Sequence, residues 1–107
     1  MTPARVADHV AAFNEAVRTG YFSRFGERFT ADAVMRFVGV PAGPYVGRTA
    51  IAAGYADSPP DDTLTVRSVT SDGDADTVAF TWDRGGAGTM VLRWRDGLVA
   101  DLTVSFE

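Results

Sequence analysis

The chain has 107 residues, of which 46% are hydrophobic and 22% charged, and its formal net charge is −4. This length and composition fit one domain with one core and exclude the disordered and low-complexity classes. The acidic balance argues against nucleic-acid binding, because the arginines are scattered along the chain instead of forming a basic patch. We therefore expect residues 1–107 to form a single domain with no nucleic-acid partner.

Absent residue types narrow the chemistry further. The chain has no cysteine and no lysine, and His9 is its only histidine. A thiolate nucleophile, a cysteine-ligated metal, a lysine Schiff base and a multi-histidine metal site are therefore all excluded. We expect no metal and no cofactor, so that any proton carrier must be Asp, Glu, Tyr, Arg or His9.

Hydropathy sets the expected location. No apolar run approaches the length of a membrane span. The N-terminal MTPARVADHV carries charges and lacks the apolar segment of a signal peptide. We expect a cytoplasmic protein without a membrane partner.

The first half of the chain predicts helices around one strand. Val6, Val10, Phe13 and Val17 recur at helical spacing, which predicts a helix over residues 3–19 that ends at Gly20. The pattern then predicts the following segments: a short helix over 22–29, a turn over 30–33, a strand over 34–38, a loop over 39–47, a helix over 48–56 and a connector over 58–62.

The second half predicts four strands, over residues 64–71, 77–84, 88–95 and 98–106, separated by glycine-containing turns. Side chains alternate along these strands. The apolar set that we expect to face the helices is Phe80, Trp82, Met90, Leu92, Trp94, Leu102, Val104 and Phe106. The opposite set carries Asp83, Arg93 and Asp101 and is expected to face water or a partner.

Three segments carry a resemblance to a known superfamily. RFTADAVMRF (28–37), GRTAIAAGYA (47–56) and RWRDGLVADLTVSF (93–106) resemble the nuclear transport factor 2-like superfamily, which includes ketosteroid isomerases, limonene-type epoxide hydrolases and SnoaL-like polyketide cyclases. The resemblance implies an α+β fold. A highly curved antiparallel sheet would pack against three N-terminal helices and form a cone around an apolar pocket. It also implies a homodimer.

The resemblance argues against the familiar isomerase chemistry. Ketosteroid isomerases have a tyrosine, an aspartate base and a protonated aspartic acid at the positions that match Phe13, Phe37 and Met90. The acid on the last strand of the epoxide hydrolases matches Val104. Abstraction of a proton needs a base and a donor for the enolate, and these four side chains supply neither.

These considerations favour a protein that holds a small hydrophobic molecule, either as a binder or as a SnoaL-like enzyme with unfamiliar catalytic groups. The residues that we expect to line the pocket are Phe13, Val17, Phe37, Tyr55, Trp82, Met90, Leu92 and Val104. Tyr55 matches a supporting tyrosine of the isomerases, and its hydroxyl is either free in the pocket or bonded within the core.

Two other functions stay open. Asp83, Arg93 and Asp101 resemble the Asp-Arg-Asp arrangement of limonene-type epoxide hydrolases, although the alternation places them on the outer face as surface ion pairs. Alternatively, the outer face of the sheet is the working surface of a dimerisation or interaction module.

Two polar features are more simply explained by structure. His9 flanks the apolar stripe of the first helix and could act as a base, but we expect it at the solvent edge. Asp72, Asp74 and Asp76 have the opening spacing of a calcium loop but lack its glycine and glutamate, and we expect a hairpin tip there.

Overall fold

A computed structural model describes residues 2–106 of the chain. These residues form three helices and six strands. In chain order they are α1 (Ala4–Thr19), α2 (Ser23–Gly26), β1 (Phe29–Val38), β2 (Tyr45–Val46), α3 (Arg48–Asp57), β3 (Leu64–Asp72), β4 (Ala75–Trp82), β5 (Ala87–Arg95) and β6 (Leu98–Phe106). The α+β class is confirmed.

Helix α1 forms as its apolar spacing predicts. Val6, Val10 and Phe13 are buried on one face. Gly20 ends the helix in the left-handed conformation, with φ of 80°, and its N–H donates to the Ala16 carbonyl over 2.8 Å. The helix is also tied to the sheet, because the Asn14 amide exchanges two hydrogen bonds, of 3.0 and 2.9 Å, with the backbone of Leu64.

The predicted short helix over 22–29 and the turn over 30–33 are wrong in their extents. Helix α2 spans only Ser23–Gly26, and strand β1 already begins at Phe29. The strand starts early because the Val99 N–H donates to the Arg28 carbonyl over 2.9 Å, and Phe29 lies opposite Val99. This long-range pairing overrides the local helical spacing of the phenylalanines.

The six strands form one curved, open sheet in the order β2-β1-β6-β5-β4-β3. All neighbours are antiparallel except β1 and β6, which run parallel, so the sheet is mixed and not purely antiparallel. Register shifts interrupt three of the pairings, and such irregularities bend and twist a sheet. The concave face is covered by α1, α2 and α3.

The hairpin between β3 and β4 confirms the expected tip around residues 73–74. Asp76, however, is completely buried and faces inward. Its carboxylate accepts bonds from Arg5 Nε at 2.7 Å, Ser71 Oγ at 2.6 Å and the Trp94 indole at 2.9 Å. This network joins the start of α1 to the sheet.

No helix within residues 2–106 is long and apolar enough to cross a membrane. In the same part of the chain, no three His, Cys, Asp or Glu side chains are grouped so that they could hold a metal ion.

Candidate functional site: an apolar cavity

A cavity of about 630 Å³ lies between α1, the C-terminal end of α3 and the concave face of the sheet. Its volume is in the range of ligand pockets of other proteins. Most of the side chains around it are apolar. Of the residues expected to line it, six do so: Phe13, Phe37, Tyr55, Trp82, Met90 and Val104.

Val17 and Leu92 lie elsewhere, which corrects the predicted lining. Leu92 is completely buried and pairs with Asp76 across the sheet, so its side chain belongs to the packed core. Val17 is half-buried in the last turn of α1 and packs against that core. Knowing which face of the sheet a side chain occupies is therefore not enough to predict the cavity lining, because the cavity occupies only part of the concave face.

The four positions that the resemblance matches to catalytic groups of ketosteroid isomerases and epoxide hydrolases all line this cavity. Phe13 comes from α1, Phe37 from β1, Met90 from β5 and Val104 from β6. Met90 lies opposite Val104, which in turn lies beside Phe37, so three of the four form a continuous row across neighbouring strands. The row is apolar, so this part of the wall has neither an acid nor a base.

Tyr55 is one of two polar side chains in the buried part of the wall. Its ring stacks on Phe22 with 5.0 Å between centroids and meets Phe25 edge-on at 5.4 Å. The hydroxyl has no hydrogen-bond partner among residues 2–106, and burial raises its pKa. Tyr55 therefore stays protonated at neutral pH and can donate or accept one bond.

His9 is the second polar side chain of the buried wall, and its expected position at the solvent edge is wrong. The side chain is 3% exposed and lines the cavity. Its ring lies 5.1 Å from Phe25, 6.0 Å from Phe29 and 6.2 Å from Trp94, centroid to centroid. Helical spacing alone places His9 beside the apolar stripe of α1. The side chain is buried because aromatic residues distant in sequence enclose it.

The electrostatics of His9 follow from this burial. Loss of solvation, together with the nearby positive charge of Arg28, lowers the pKa of the imidazole to about 3. Nδ1 is buried and makes no hydrogen bond. The ring is therefore neutral at physiological pH and is a poor general base, although it can still donate one hydrogen bond.

The mouth of the cavity is polar, which the sequence pattern did not predict. Asp61, Asp62 and Arg84 line this end together with Ser58 and Pro60. Arg84 Nη2 lies 3.1 Å from Asp61 Oδ1, and the Arg84 backbone N–H donates to Asp62 Oδ2 over 3.0 Å. The charges at the entrance are thus paired with one another and flank an otherwise apolar opening.

A smaller compartment of about 200 Å³ adjoins the cavity beneath the loop over residues 39–44. It shares Phe37, Tyr55 and Phe106 with the main cavity and is further lined by Met35 and Tyr45. Ser58 and Pro60 also line both spaces, so these five shared residues form the boundary between them.

The structure does not bring Asp83, Arg93 and Asp101 together. Arg93 lies opposite Asp101 on β6 and opposite Ala75 on β4. Asp83 directly follows the end of β4, eight residues after Ala75 and roughly 26 Å from it at the usual rise per residue. The strand alternation holds, and all three residues lie outside the cavity lining.

Their contacts are those of surface residues. Asp101 accepts a bond from Arg36 Nη1 at 2.6 Å. Asp83 accepts one from Thr65 Oγ1 at 2.6 Å and another from Thr63, and the Thr63 contact is the larger cause of the lowered pKa of Asp83. Asp83, Arg93 and Asp101 therefore do not form the Asp-Arg-Asp arrangement of limonene-type epoxide hydrolases, in which two carboxylates flank a guanidinium.

The fold has known counterparts. A family model for the SnoaL-like domain matches residues 10–102. No curated protein matches the chain.

Solved structures match over nearly the whole length. A SnoaL-like protein from Burkholderia thailandensis is 14% identical, with a TM-score of 0.78 and coverage of 99% of this chain and 97% of that one. A hypothetical protein with a ketosteroid isomerase-like fold from Catenulispora acidiphila, in complex with trimethylamine, is 19% identical, with a TM-score of 0.77 and coverage of 100% and 88%. A proposed polyketide cyclase from Sinorhizobium meliloti is 20% identical, with a TM-score of 0.70 and coverage of 91% and 93%.

At these identities the solved structures establish the fold alone. The family model goes further, because it matches residues 10–102, which is most of the chain. The chain therefore belongs to the SnoaL-like domain family of the nuclear transport factor 2-like superfamily.

Proposed function

We propose that the chain binds a small, neutral, largely apolar molecule in the cavity between α1, α3 and the sheet. The observation that carries this proposal is the cavity itself, of about 630 Å³ with a predominantly apolar wall. Burial of apolar ligand surface in such a space is favourable by roughly 25 cal/mol per Å². The two half-separated compartments suit a molecule with a ring system and an apolar substituent.

The charge distribution supports a neutral ligand. Asp61, Asp62 and Arg84 are the charged residues of the lining, and they pair with one another at the mouth. An ionised ligand group further inside would lose its hydration without gaining an opposite charge, which costs several kcal/mol. Inside the cavity, the polar contacts of the ligand would be confined to Tyr55 and His9.

A reaction of the isomerase or cyclase type is the narrower form of the proposal. The fold resemblance to proteins described as ketosteroid isomerase-like and as a proposed polyketide cyclase supports a carbonyl compound as substrate. Such an enzyme would have to use the Tyr55 hydroxyl and the His9 imidazole as hydrogen-bond donors. Because Phe37 replaces the base, we favour binding without turnover.

A homodimer through the outer face of the sheet, expected from the resemblance, stays a prediction. Light scattering coupled to size-exclusion chromatography measures it directly. Such a dimer would leave the cavity, which lies on the opposite face of the sheet, free to bind the ligand.

The binding proposal can be tested with 2-isopropenylnaphthalene, a neutral hydrocarbon, and protein carrying ¹³C-labelled methionine methyl groups. Met90 lines the main cavity and Met35 the adjoining compartment, so the two methyl signals report the two spaces separately. We expect the hydrocarbon to shift the Met90 signal in a saturable manner.

A matched pair of variants locates the site. Val104→Phe adds a ring inside the cavity, whereas Thr103→Phe adds the same ring on the outer face of the same strand. We expect Val104→Phe to weaken binding at least about tenfold, because filling the cavity removes ligand contacts worth 1.4 kcal/mol or more. Equal weakening by both variants, or no Met90 shift up to the solubility of the probe, would contradict the proposal.

A further inference from the structure

His9 combines three properties that are rarely found together in a structural histidine. It is 97% buried, it belongs to the wall of the cavity, and its neighbours are the rings of Phe25, Phe29 and Trp94. Neither of its ring nitrogens has a hydrogen-bond partner among residues 2–106. Buried polar groups are almost always paired, and an exception requires a reason.

The orphaned nitrogen indicates which tautomer the ring adopts. A neutral imidazole has one N–H donor and one acceptor lone pair. Nδ1 is enclosed and unpaired. A buried N–H without a partner is rarer in proteins than an under-used acceptor, so the proton belongs on Nε2. Unlike Nδ1, Nε2 is not fully enclosed, and His9 lines the cavity. The ring then has one donor, Nε2–H, to offer to a molecule in the cavity.

We propose that the Nε2–H of His9 donates a hydrogen bond to a carbonyl oxygen of the bound molecule, and that His9 thereby selects ketones and related carbonyl compounds over hydrocarbons of the same shape. The inference rests on the proposed binding function and adds the ligand class to it. His9 acts as a specificity-determining residue and not as a base.

The surroundings of the ring strengthen this selectivity. In an aromatic, water-poor environment a hydrogen bond is electrostatically stronger than in water. An apolar ligand would leave both His9 nitrogens unpaired in the complex, whereas a ketone would satisfy Nε2–H. A site with a buried donor discriminates against the analogue that lacks the matching acceptor.

The experiment compares 2-acetylnaphthalene with 2-isopropenylnaphthalene, in which a methylene group replaces the carbonyl oxygen. We expect the ketone to bind about 2- to 12-fold more tightly, the affinity ratio that corresponds to the net value of one hydrogen bond. His9→Phe should abolish this preference and keep hydrocarbon binding. His9→Gln, which retains an N–H, should restore part of it.

A second measurement needs no variant. Because His9 is the only histidine, the imidazole ¹⁵N signals of labelled wild-type protein belong to this residue without further assignment. We expect the ketone to shift the Nε2 signal and the hydrocarbon to leave it nearly unchanged. The spectrum of the free protein should also show a neutral ring protonated on Nε2.

The outcomes separate the two proposals. Equal affinity for both probes, with an unchanged Nε2 signal, overturns the role of His9 and leaves the binding function intact. A ketone preference that survives in His9→Phe but disappears in Tyr55→Phe assigns recognition to Tyr55 and also overturns it. Failure of both probes to bind overturns the proposed function and this inference together.

Discussion

Arg5 and Asp76 form a two-point ion pair that joins the first turn of α1 to strand β4. Arg5 Nε lies 2.7 Å from Asp76 Oδ2, and Arg5 Nη2 lies 3.1 Å from Oδ1. The Arg5 guanidinium also lies 5.5 Å from the centre of the Trp94 ring, whose N–H donates to the same carboxylate. Arg5, followed by Ser71 and Trp94, holds the pKa of Asp76 below its usual value.

Replacement of Arg5 by leucine should therefore destabilise the protein. The Asp76 carboxylate would stay buried and lose its counter-charge, with only Ser71 and Trp94 as partners. Loss of one partner of a buried pair costs 3–5 kcal/mol, but Arg5 is 37% exposed, which reduces the expected cost to about 2 kcal/mol. Urea unfolding measures it, with Arg18→Leu on the exposed side of α1 as the control. Equal midpoints for the two variants would refute the structural role of the pair.

The burial of His9 predicts a loss of stability in mild acid. Its pKa is about 3 in the folded protein and near 6.5 when unfolded, so the unfolded state binds the additional proton between these values. Stability is therefore fully present above pH 6.5 and falls as the pH drops towards 3. Between pH 6.5 and 4.5 the expected loss is about 2–3 kcal/mol.

The measurement is the free energy of unfolding at half-unit pH steps. His9→Phe should flatten the curve above pH 4.5, where the aspartates, including Asp76 with its lowered pKa, are still ionised in both states. A wild-type curve as flat as that of His9→Phe would show that the imidazole is hydrated in solution.

Isomerisation of a β,γ-unsaturated ketosteroid should be negligible. By the resemblance, the base and both oxyanion donors of the true isomerases match Phe37, Phe13 and Met90, which line the cavity but transfer no proton. Each general acid or base contributes about 10²- to 10⁴-fold to the rate. Absorbance of the conjugated product measures turnover. Phe37→Asp restores a carboxylate to the wall and should raise the rate above that of the wild type, whereas wild-type turnover at the level of a true isomerase would contradict the assigned positions.

The acidic side chains on the outer face of the sheet should be dispensable for ligand binding. Asp101→Asn removes the ion pair with Arg36, which is half-exposed, and should cost at most about 1 kcal/mol of stability without changing ligand affinity. Tyr55→Phe is the paired change inside the cavity and should change the affinity for 2-acetylnaphthalene by less than about 0.5 kcal/mol, because the carbonyl bonds to His9. Isothermal titration measures both. A large loss of affinity with Asp101→Asn would move the working site to the outer face.

Local patterns in the sequence determined the fold class, most element boundaries and the two faces of the sheet. Alternation with a period of two is a property of each strand alone, and it placed Trp82, Met90 and Val104 inward and Asp101 outward before any contact was known. In the same way, helical spacing and Gly20 defined α1. The apolar character of the four positions that the resemblance matches to catalytic groups was also readable, because it depends only on residue identity.

Tertiary structure decided what depends on residues distant in sequence. His9 is buried because Phe25, Phe29 and Trp94 enclose it, and no pattern within α1 contains that information. Asp76 shares the inward parity of Phe80, but whether a carboxylate is tolerated there depends on Arg5, 71 positions away. The early start of β1 likewise depends on its pairing with Val99 on β6. Desolvation, pKa and the extent of the cavity arise from these long-range contacts, whereas periodicity arises from the backbone itself.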